Sequence, residues 1–349
     1  MIKTNPKGVA AVVDVFCGIG GMTHGFVKEG FRVCAGIDID PACKFSYEKN
    51  NGTKFIEADL RTMKPAAIAA LFPKDSIRIA IGCAPCQPFS SYNRLDRRAG
   101  QDLLERFGTI VRELGPEIVS MENVPRIIGR PVFKAFLRTL KKSGYEISEN
   151  QVDCADYGVP QTRRRLVILA STLGKISMIP PTHDEKHRRS VRDAIGHLPA
   201  IQAGTYWPKD RIHQCRALSE LNLRRIRATP AGGGWQDWPD DLLLECHQTD
   251  EGSSFQRVYG RMIWGELAPT ITTQCIGLGN GRFGHPKQHR AISLREAALL
   301  QTFPRNYKFV EPRAVINQRQ VARHIGNAVP PRLGRAIARS IARHLEEVA

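Results

Sequence analysis

Over the first 170 residues, short apolar runs alternate with segments of helical spacing. Residues 9–16, 31–37, 77–82, 117–121 and 166–170 read as strands, each bounded by glycine, proline or charged residues. Residues 102–114 and 132–142 carry apolar side chains at intervals of three and four and read as helices. Strands alternating with helices predict an α/β fold built on a mainly parallel sheet. Polar residues gather where these runs end: Asp38 after the second, Cys83-Ala84-Pro85-Cys86 after the third, Glu122-Asn123-Val124 after the fourth. Open α/β sheets bind their ligands beyond the carboxyl ends of the strands.

The pattern breaks at Ile179-Pro180-Pro181. From there to about residue 290 the chain is rich in Arg, His, Gly and Pro and holds all four tryptophans, Trp207, Trp235, Trp238 and Trp264. This stretch predicts a second, irregular domain. Helical spacing returns past Ser293, and a last helix starting near Pro330 lines up Leu333, Ile337, Ile341 and Leu345. That stripe is expected to pack back on the first domain. The expected division is therefore 1–180 with 312–349 in one domain, and 181–311 in the other.

Composition narrows the class. The 349 residues are 42% hydrophobic, enough for one large core or two modest ones. No run of about 18 uncharged apolar residues occurs, which argues against a membrane span. The first apolar run contains Asp14 and leads into glycines, so it reads as a strand and not as a signal peptide. Lys and Arg outnumber Asp and Glu by 51 to 34, a net charge of +17 that suits a polyanionic partner. The nine cysteines show no disulfide framework and point to a reducing cytoplasm. Cys83 and Cys86 form a CxxC pair with no second pair to complete a zinc site, so no metal is expected.

The candidate chemistry has plain alternatives. Asp14-Val15-Phe16-Cys17-Gly18-Ile19-Gly20-Gly21 is a glycine turn after a strand; with Asp38 as ribose acceptor it suits a nucleoside cofactor, and otherwise it is a tight turn. Cys86, flanked by prolines, suits an exposed nucleophile, a buried structural thiol, or a redox pair with Cys83. Glu122 at a strand end suits a general acid or a simple cap. In an extended Gln161-Thr162-Arg163-Arg164-Arg165, Arg163 and Arg165 would point together, toward a phosphate, a base carbonyl or solvent.

Six blocks in one order resemble the DNA (cytosine-5-)-methyltransferase family of bacteria and phages over nearly the whole chain. They are residues 14–21, Pro85-Cys86-Gln87, Glu122-Asn123-Val124, the Gln161-x-Arg163-x-Arg165 run, residues 295–304 (REAALLQTFP), and Gly326-Asn327-Ala328-Val329. The resemblance implies a Rossmann-like S-adenosylmethionine-dependent fold with a smaller target-recognition domain. It assigns the cofactor to Phe16, Ile19, Gly21, Asp38, Ile39, Asp59, Pro85, Leu103, Asn327 and Val329, with S-adenosylhomocysteine as product. Cys86 becomes the nucleophile, Glu122 the acid at the base, and Arg163 and Arg165 the supports of base and intermediate. The loop after Cys86, with Gln87, Ser90, Arg94, Arg97 and Arg98, becomes the contact to a flipped cytosine in double-stranded DNA. A monomer in the bacterial cytoplasm, tied to restriction–modification, completes the expectation.

Cys17 stands where Ala is common in the family. Asp38 stands where Glu is commoner, so Asp40 could share the ribose. Competing readings are a tRNA cytosine methyltransferase of the same fold and a catalytically silent DNA-binding protein. The tRNA branch's Cys-Phe-Thr tripeptide does not occur in the chain. Residues 270–274 and 277–284 read as loops able to enter a groove.

Overall fold

A seven-stranded sheet organises the amino-terminal half of the protein. The computed structural model describes residues 9–85, 101–249, 252 and 256–349. In chain order the first elements are β1 (Ala10–Val15), α1 (Gly21–Lys28), β2 (Arg32–Asp38), α2 (Lys44–Asn51), β3 (Lys54–Glu57), α3 (Pro65–Ala69) and β4 (Ile77–Gly82). There follow α4 (Gln101–Leu114), β5 (Ile118–Asn123), α5 (Pro131–Lys142), β6 (Glu146–Asp153), β7 (Gln161–Thr162) and β8 (Arg164–Ser171). The sheet order is β3-β2-β1-β4-β5-β8-β6. β8 runs antiparallel to both its neighbours, and the other pairs are parallel.

Every residue of β1 and of β5 is buried. Successive strand residues point to opposite faces, so both faces of the sheet are covered at its centre. This explains why these strands read as continuous apolar runs and not as alternating ones. The sequence pattern ends the fourth run at residue 121, whereas β5 continues through Glu122 and Asn123. The reason is β8: Glu122 lies opposite Val167 and Asn123 opposite Leu166, so the antiparallel ladder carries the strand two residues further.

The chain separates into two compact units. One is Met1–Tyr157, Arg164–Thr182 and Ala328–Ala349; the other is Gly158–Arg163 and His183–Asn327. The crossing after Thr182 lies two residues from the expected 180, whereas the return comes later than the expected 312 and a further crossing occurs at residues 158–163. β7 pairs with β11 (Ala268–Pro269), which takes residues 158–163 into the second unit. After α6 (Val191–Ile195), β9 (Tyr206–Trp207), β10 (Asp210–Gln214) and α7 (Glu220–Ala228), the helices α8 (Leu294–Leu300) and α9 (Gln318–Asn327) pack on each other. The return to the first unit therefore comes after Asn327.

The last helix, α10 (Pro331–Val348), belongs to the first unit, and Leu333, Ile337, Ile341 and Leu345 are all buried as the stripe predicts. It crosses α1 at a glycine contact: a Cβ on Gly25 would stand 2.4 Å from the backbone of Gly334 and Arg335. The two backbones touch where a side chain would hold them apart.

The second unit has small apolar clusters and buried polar struts. Trp235, Trp238 and Leu242 form one cluster. His247 stacks on Trp235 at 4.3 Å, and the Arg225 guanidinium lies 5.3 Å over the Trp238 ring. These two tryptophans are core residues, not surface readers. Arg290, wholly buried, binds both carboxyl oxygens of Glu296 at 2.7 Å. Glu296 also completes a capping box with Ser293 at the start of α8. Despite its burial, these donors hold the Glu296 carboxyl down to about 2.

Candidate active site at the carboxyl ends of the strands

The turn after β1 is strained and strutted. Phe16 adopts φ 63°, a left-handed conformation unusual outside glycine, and Gly18 and Gly20 follow at 50° and 85°. The Asp38 carboxylate secures this turn: Oδ2 accepts the Gly18 amide at 2.8 Å and Oδ1 the Asp40 amide at 3.0 Å. A carboxylate has about four acceptor sites, so Asp38 retains capacity for a ribose hydroxyl. Beside Gly18 the space is open, and Ile39 presents an apolar side chain that is 59% exposed. An acceptor, an apolar platform and close backbone in one place fit a nucleoside. Asp40 is engaged otherwise: its Oδ1 caps the short helix at Pro41–Cys43 by accepting the Ala42 amide.

Under the turn lies a second acid. Asp14 is buried in β1 and accepts the Thr23 hydroxyl at 2.5 Å, and that hydroxyl lies 3.1 Å from the Tyr47 hydroxyl. Burial, opposed by the Thr23 bond and helped by the Asp38 charge, pushes the Asp14 carboxyl up to about 7. The Cys17 thiol is pushed well up by the same burial and the same two acids, so it is an inert neighbour.

Three neighbouring strands supply the second group. Gly82 of β4 pairs with Met121 of β5, which puts Cys83 next to Glu122. The Cys83 thiol donates to Glu122 Oε2 at 2.8 Å. On the other side, Arg165 of β8 sets its Nε 2.9 Å from Glu122 Oε1. The carboxyl is 2% exposed; Oε2 accepts the thiol, while Oε1 is ion-paired with Arg165 but accepts no hydrogen bond. Asn123 steadies the same segment, with Nδ2 donating to the Ala84 carbonyl at 3.2 Å and Oδ1 accepting the Val124 amide.

Arg163 belongs to the second unit. The chain breaks its strand at Arg163, whose amide bonds the Gln161 carbonyl, and β8 starts one residue later. Its buried guanidinium donates from Nη1 to the Ile271 carbonyl in the second unit. The expectation that Arg163 and Arg165 point together assumed an unbroken strand, and the strand is interrupted at Arg163.

The other expected residues are placed as follows. Phe16, Ile19, Gly21 and Asp38 share the glycine turn, and Phe16 meets Phe107 of α4 edge-on at 6.3 Å. Asp59, past β3, accepts the Arg61 amide and pairs with its guanidinium, which also holds Asp102 at 2.5 Å. Leu103 and Pro85 are half-buried, Asn327 is exposed at the end of α9, and Val329 is buried in the first unit. Cys86, Gln87, Ser90, Arg94, Arg97 and Arg98 lie outside the described residues. The sequence reading weighed Cys83 only as a redox partner of Cys86 and named Asn123 only within its block, and it missed the contacts both make. Their signal was available: each stands at the end of a predicted strand, beside a residue already singled out.

The family model for C-5 cytosine-specific DNA methylases matches residues 10–343. The chain belongs to this family. It is 52% identical over 342 residues to the type II methylase M.HgiDII of Herpetosiphon aurantiacus, covering 97% of this chain and 96% of that one. It is 29% identical to the type II methyltransferase M1.HphI of Haemophilus parahaemolyticus, over 94% of this chain and 86% of the relative. Among solved structures, a prophage-encoded E. coli protein described as a DNA modification methyltransferase superposes with TM-score 0.74 at 21% identity, covering 97% and 99% of the two chains. A Spodoptera frugiperda DNMT2 variant gives 0.67 at 16% identity, covering 95% and 99%. At such identities the last two establish the fold, the Rossmann-like α/β architecture expected.

Two expectations follow. The folded protein keeps the Asp14 proton to about pH 7, whereas an unfolded chain loses it near the ordinary carboxyl value of 3.8. Its contribution to stability is complete below about pH 4, declines as pH rises, and is gone above about 7. Chemical denaturation of the wild type and Asp14→Asn across pH 4–8 should show their stability difference shrinking by a few kcal/mol over that window; a constant difference contradicts it. Removing one donor from a buried carboxylate costs about 1–3 kcal/mol. Cys83→Ala should therefore lower kcat for methyl transfer about tenfold or more, with KM for DNA little changed. Cys83→Ser, which keeps a donor, should recover most of it; equal rates in all three proteins would show that the thiol does not hold Glu122.

Proposed function

We propose that this DNA cytosine-C5 methyltransferase attacks a cytosine turned out of double-stranded DNA with the Cys86 thiolate, and acts as a monomer in the bacterial cytoplasm. The observation that carries the reading is the buried Glu122 carboxyl, hydrogen-bonded on one oxygen by Cys83, ion-paired with Arg165, and left with Oε1 open to a further donor. A carboxyl so fixed suits proton transfer to one ring nitrogen and little else.

The cofactor's assigned residues are Phe16, Ile19, Gly21, Asp38, Ile39, Asp59, Pro85, Leu103, Asn327 and Val329. S-adenosylmethionine supplies an electrophilic methyl group when bound there and leaves as S-adenosylhomocysteine. Asp38 would bind its ribose and Ile39 would pack on its base, which fits the acceptor and exposed apolar surface at that turn.

Cytosine C5 is too poor a nucleophile within the aromatic ring. The Cys86 thiolate adds to C6 and forms a carbon–sulfur bond. The displaced π electrons pass toward N3, which takes the Glu122 proton, leaving an enamine with C5 nucleophilic. Arg163 bonds the O2 side and offsets charge that develops there, while Arg165 holds Glu122 in position. After methylation a base takes the C5 proton, the carbon–sulfur pair returns to sulfur, and N3 gives its proton back to Glu122. The thiolate and the aromatic ring are both regenerated, and the scheme calls on no metal. None of this can happen in a stacked duplex, so the base must leave it at a cost of roughly a few kcal/mol. Gln87, Ser90, Arg94, Arg97 and Arg98 are assigned to the DNA around that base.

The test is incorporation of labelled methyl into duplex DNA and into tRNA by the wild type, Cys86→Ser and Glu122→Gln. The wild type should label DNA and not tRNA. Cys86→Ser should bind DNA and cofactor with no turnover, and Glu122→Gln should lose at least about 100-fold in kcat with DNA affinity retained. Full turnover by Cys86→Ser removes the nucleophile, and labelling of tRNA alone removes the substrate.

A further inference from the structure

One arginine of the second unit is held in place and left without a partner. Arg282 is half-buried, and its Nε is buried with no hydrogen bond. Among the described residues its guanidinium makes no ion pair, hydrogen bond or ring contact. Buried donors in folded proteins are nearly always paired, and one on a cation is the costliest to leave unpaired. Other buried arginines of this unit show the contrast. Arg290 grips Glu296, Arg225 donates to the Leu242 carbonyl, and Arg261 donates to the carbonyls of Thr229 and His285.

The backbone around Arg282 fixes where it stands. Before it, Gly281 adopts φ 151°, which favours glycine, and a Cβ there would stand 2.8 Å from the Phe283 ring. After it, Phe283 is buried and its carbonyl accepts the Ile292 amide at 2.9 Å. The Gly284 amide then donates to the Gly260 carbonyl, also at 2.9 Å. The Arg282 stem lies on Gly260 itself: a Cβ on Gly260 would come 2.8 Å from Arg282 Cγ and 3.0 Å from its Cβ. Tyr259 holds that segment in a left-handed conformation, φ 58°, with its amide on the Leu278 carbonyl at 3.1 Å. Such strain persists only where the surroundings enforce it. The stem and Nε are thus packed inward, and the two terminal amino groups are the ends that reach solvent.

We infer that Arg282 reads a guanine of the recognised duplex and is a specificity-determining residue of this methyltransferase. The inference rests on the DNA reading above. A guanidinium is planar, its charge is delocalised over its nitrogens, and its donors match two acceptors side by side. On a base edge that pair is guanine O6 and N7 in the major groove. A phosphate also offers paired oxygens, but contacts to phosphates carry no sequence information. A stem packed on backbone presents its fork in one orientation, which is what reading one base among four requires. The acceptors of the base compensate a cation for which the protein supplies no partner of its own among the described residues.

Sequencing the cytosines that the wild type methylates in a host without methylation of its own supplies the recognised word. The experiment is then the dissociation constant of the full-length wild type, Arg282→Met and Arg282→Gln at one salt concentration. The duplexes are the recognised one, a shuffled one, and a set in which each G·C pair of the word becomes A·T in turn. The Tm of each free protein is measured alongside. The wild type should lose about ten- to a hundredfold in affinity for each replaced pair that it reads. Arg282→Met keeps the stem without the charge. It should lose a similar factor on the recognised duplex and become indifferent to replacement at one guanine, with its other preferences intact. Its Tm should equal or exceed that of the wild type, because an unpaired buried donor has gone. Arg282→Gln should show the same indifference at the same guanine. Unchanged affinity in both variants overturns the inference. So does an equal loss on every duplex, the shuffled one included, which would make Arg282 a phosphate contact. A lowered Tm with every base preference kept also overturns it and makes Arg282 a strut. If the wild type methylates no DNA, the parent reading fails instead.

Discussion

The register of three adjacent strands decides what this protein can do. β4 and β5 run parallel with Gly82 beside Met121, and β8 returns antiparallel with Val167 beside Glu122. From that pairing alone, Cys83 comes to one side of the Glu122 carboxyl and Arg165 to the other. A slip of one residue would turn every side chain of β5 to the opposite face and leave a carboxyl buried without its donors. The apolar strands that bury both faces of the sheet are what prevent that slip. The site is thus set by hydrophobic packing, and its polar groups take positions that the packing has already chosen.

The same economy governs the cofactor turn. Asp38 ties the Gly18 and Asp40 amides together and keeps lone pairs to spare, so the side chain that shapes the turn has acceptor capacity left for a ligand. Being shorter than the glutamate common in the family, it lies close to the backbone that it braces. Beneath it, Asp14 keeps a proton to about pH 7 chiefly because burial disfavours its charged form, with the nearby Asp38 charge adding a smaller push.

Much of this was legible in the sequence where one period dominated. The strands of the parallel sheet and the stripe of α10 follow from apolar spacing, and Glu122 stood out as an acid at a strand end. The edge strand β6, with residues EISENQVD, gave no apolar run because only one side of it is paired. The contact of Cys83 with Glu122 was illegible for another reason: it depends on inter-strand register, and the CxxC spacing drew attention to Cys86 instead. The break at Arg163 needed β11, over a hundred residues later, to pull β7 into the second unit. In that unit, stability comes from pairs such as Arg290 with Glu296 and from Trp235 stacked on His247, contacts without a periodic trace.

The most direct measurement is covalent trapping. Duplex DNA with 5-fluorocytosine at a methylated position cannot lose its C5 substituent as a proton, so a thiolate that has added to C6 stays bound once the methyl has transferred. The account predicts a cofactor-dependent adduct whose fragment masses place the nucleotide on Cys86 and leave the Cys83 sulfur unmodified. Methylation of ordinary duplex without any trapped adduct, or an adduct on Cys83, would contradict it.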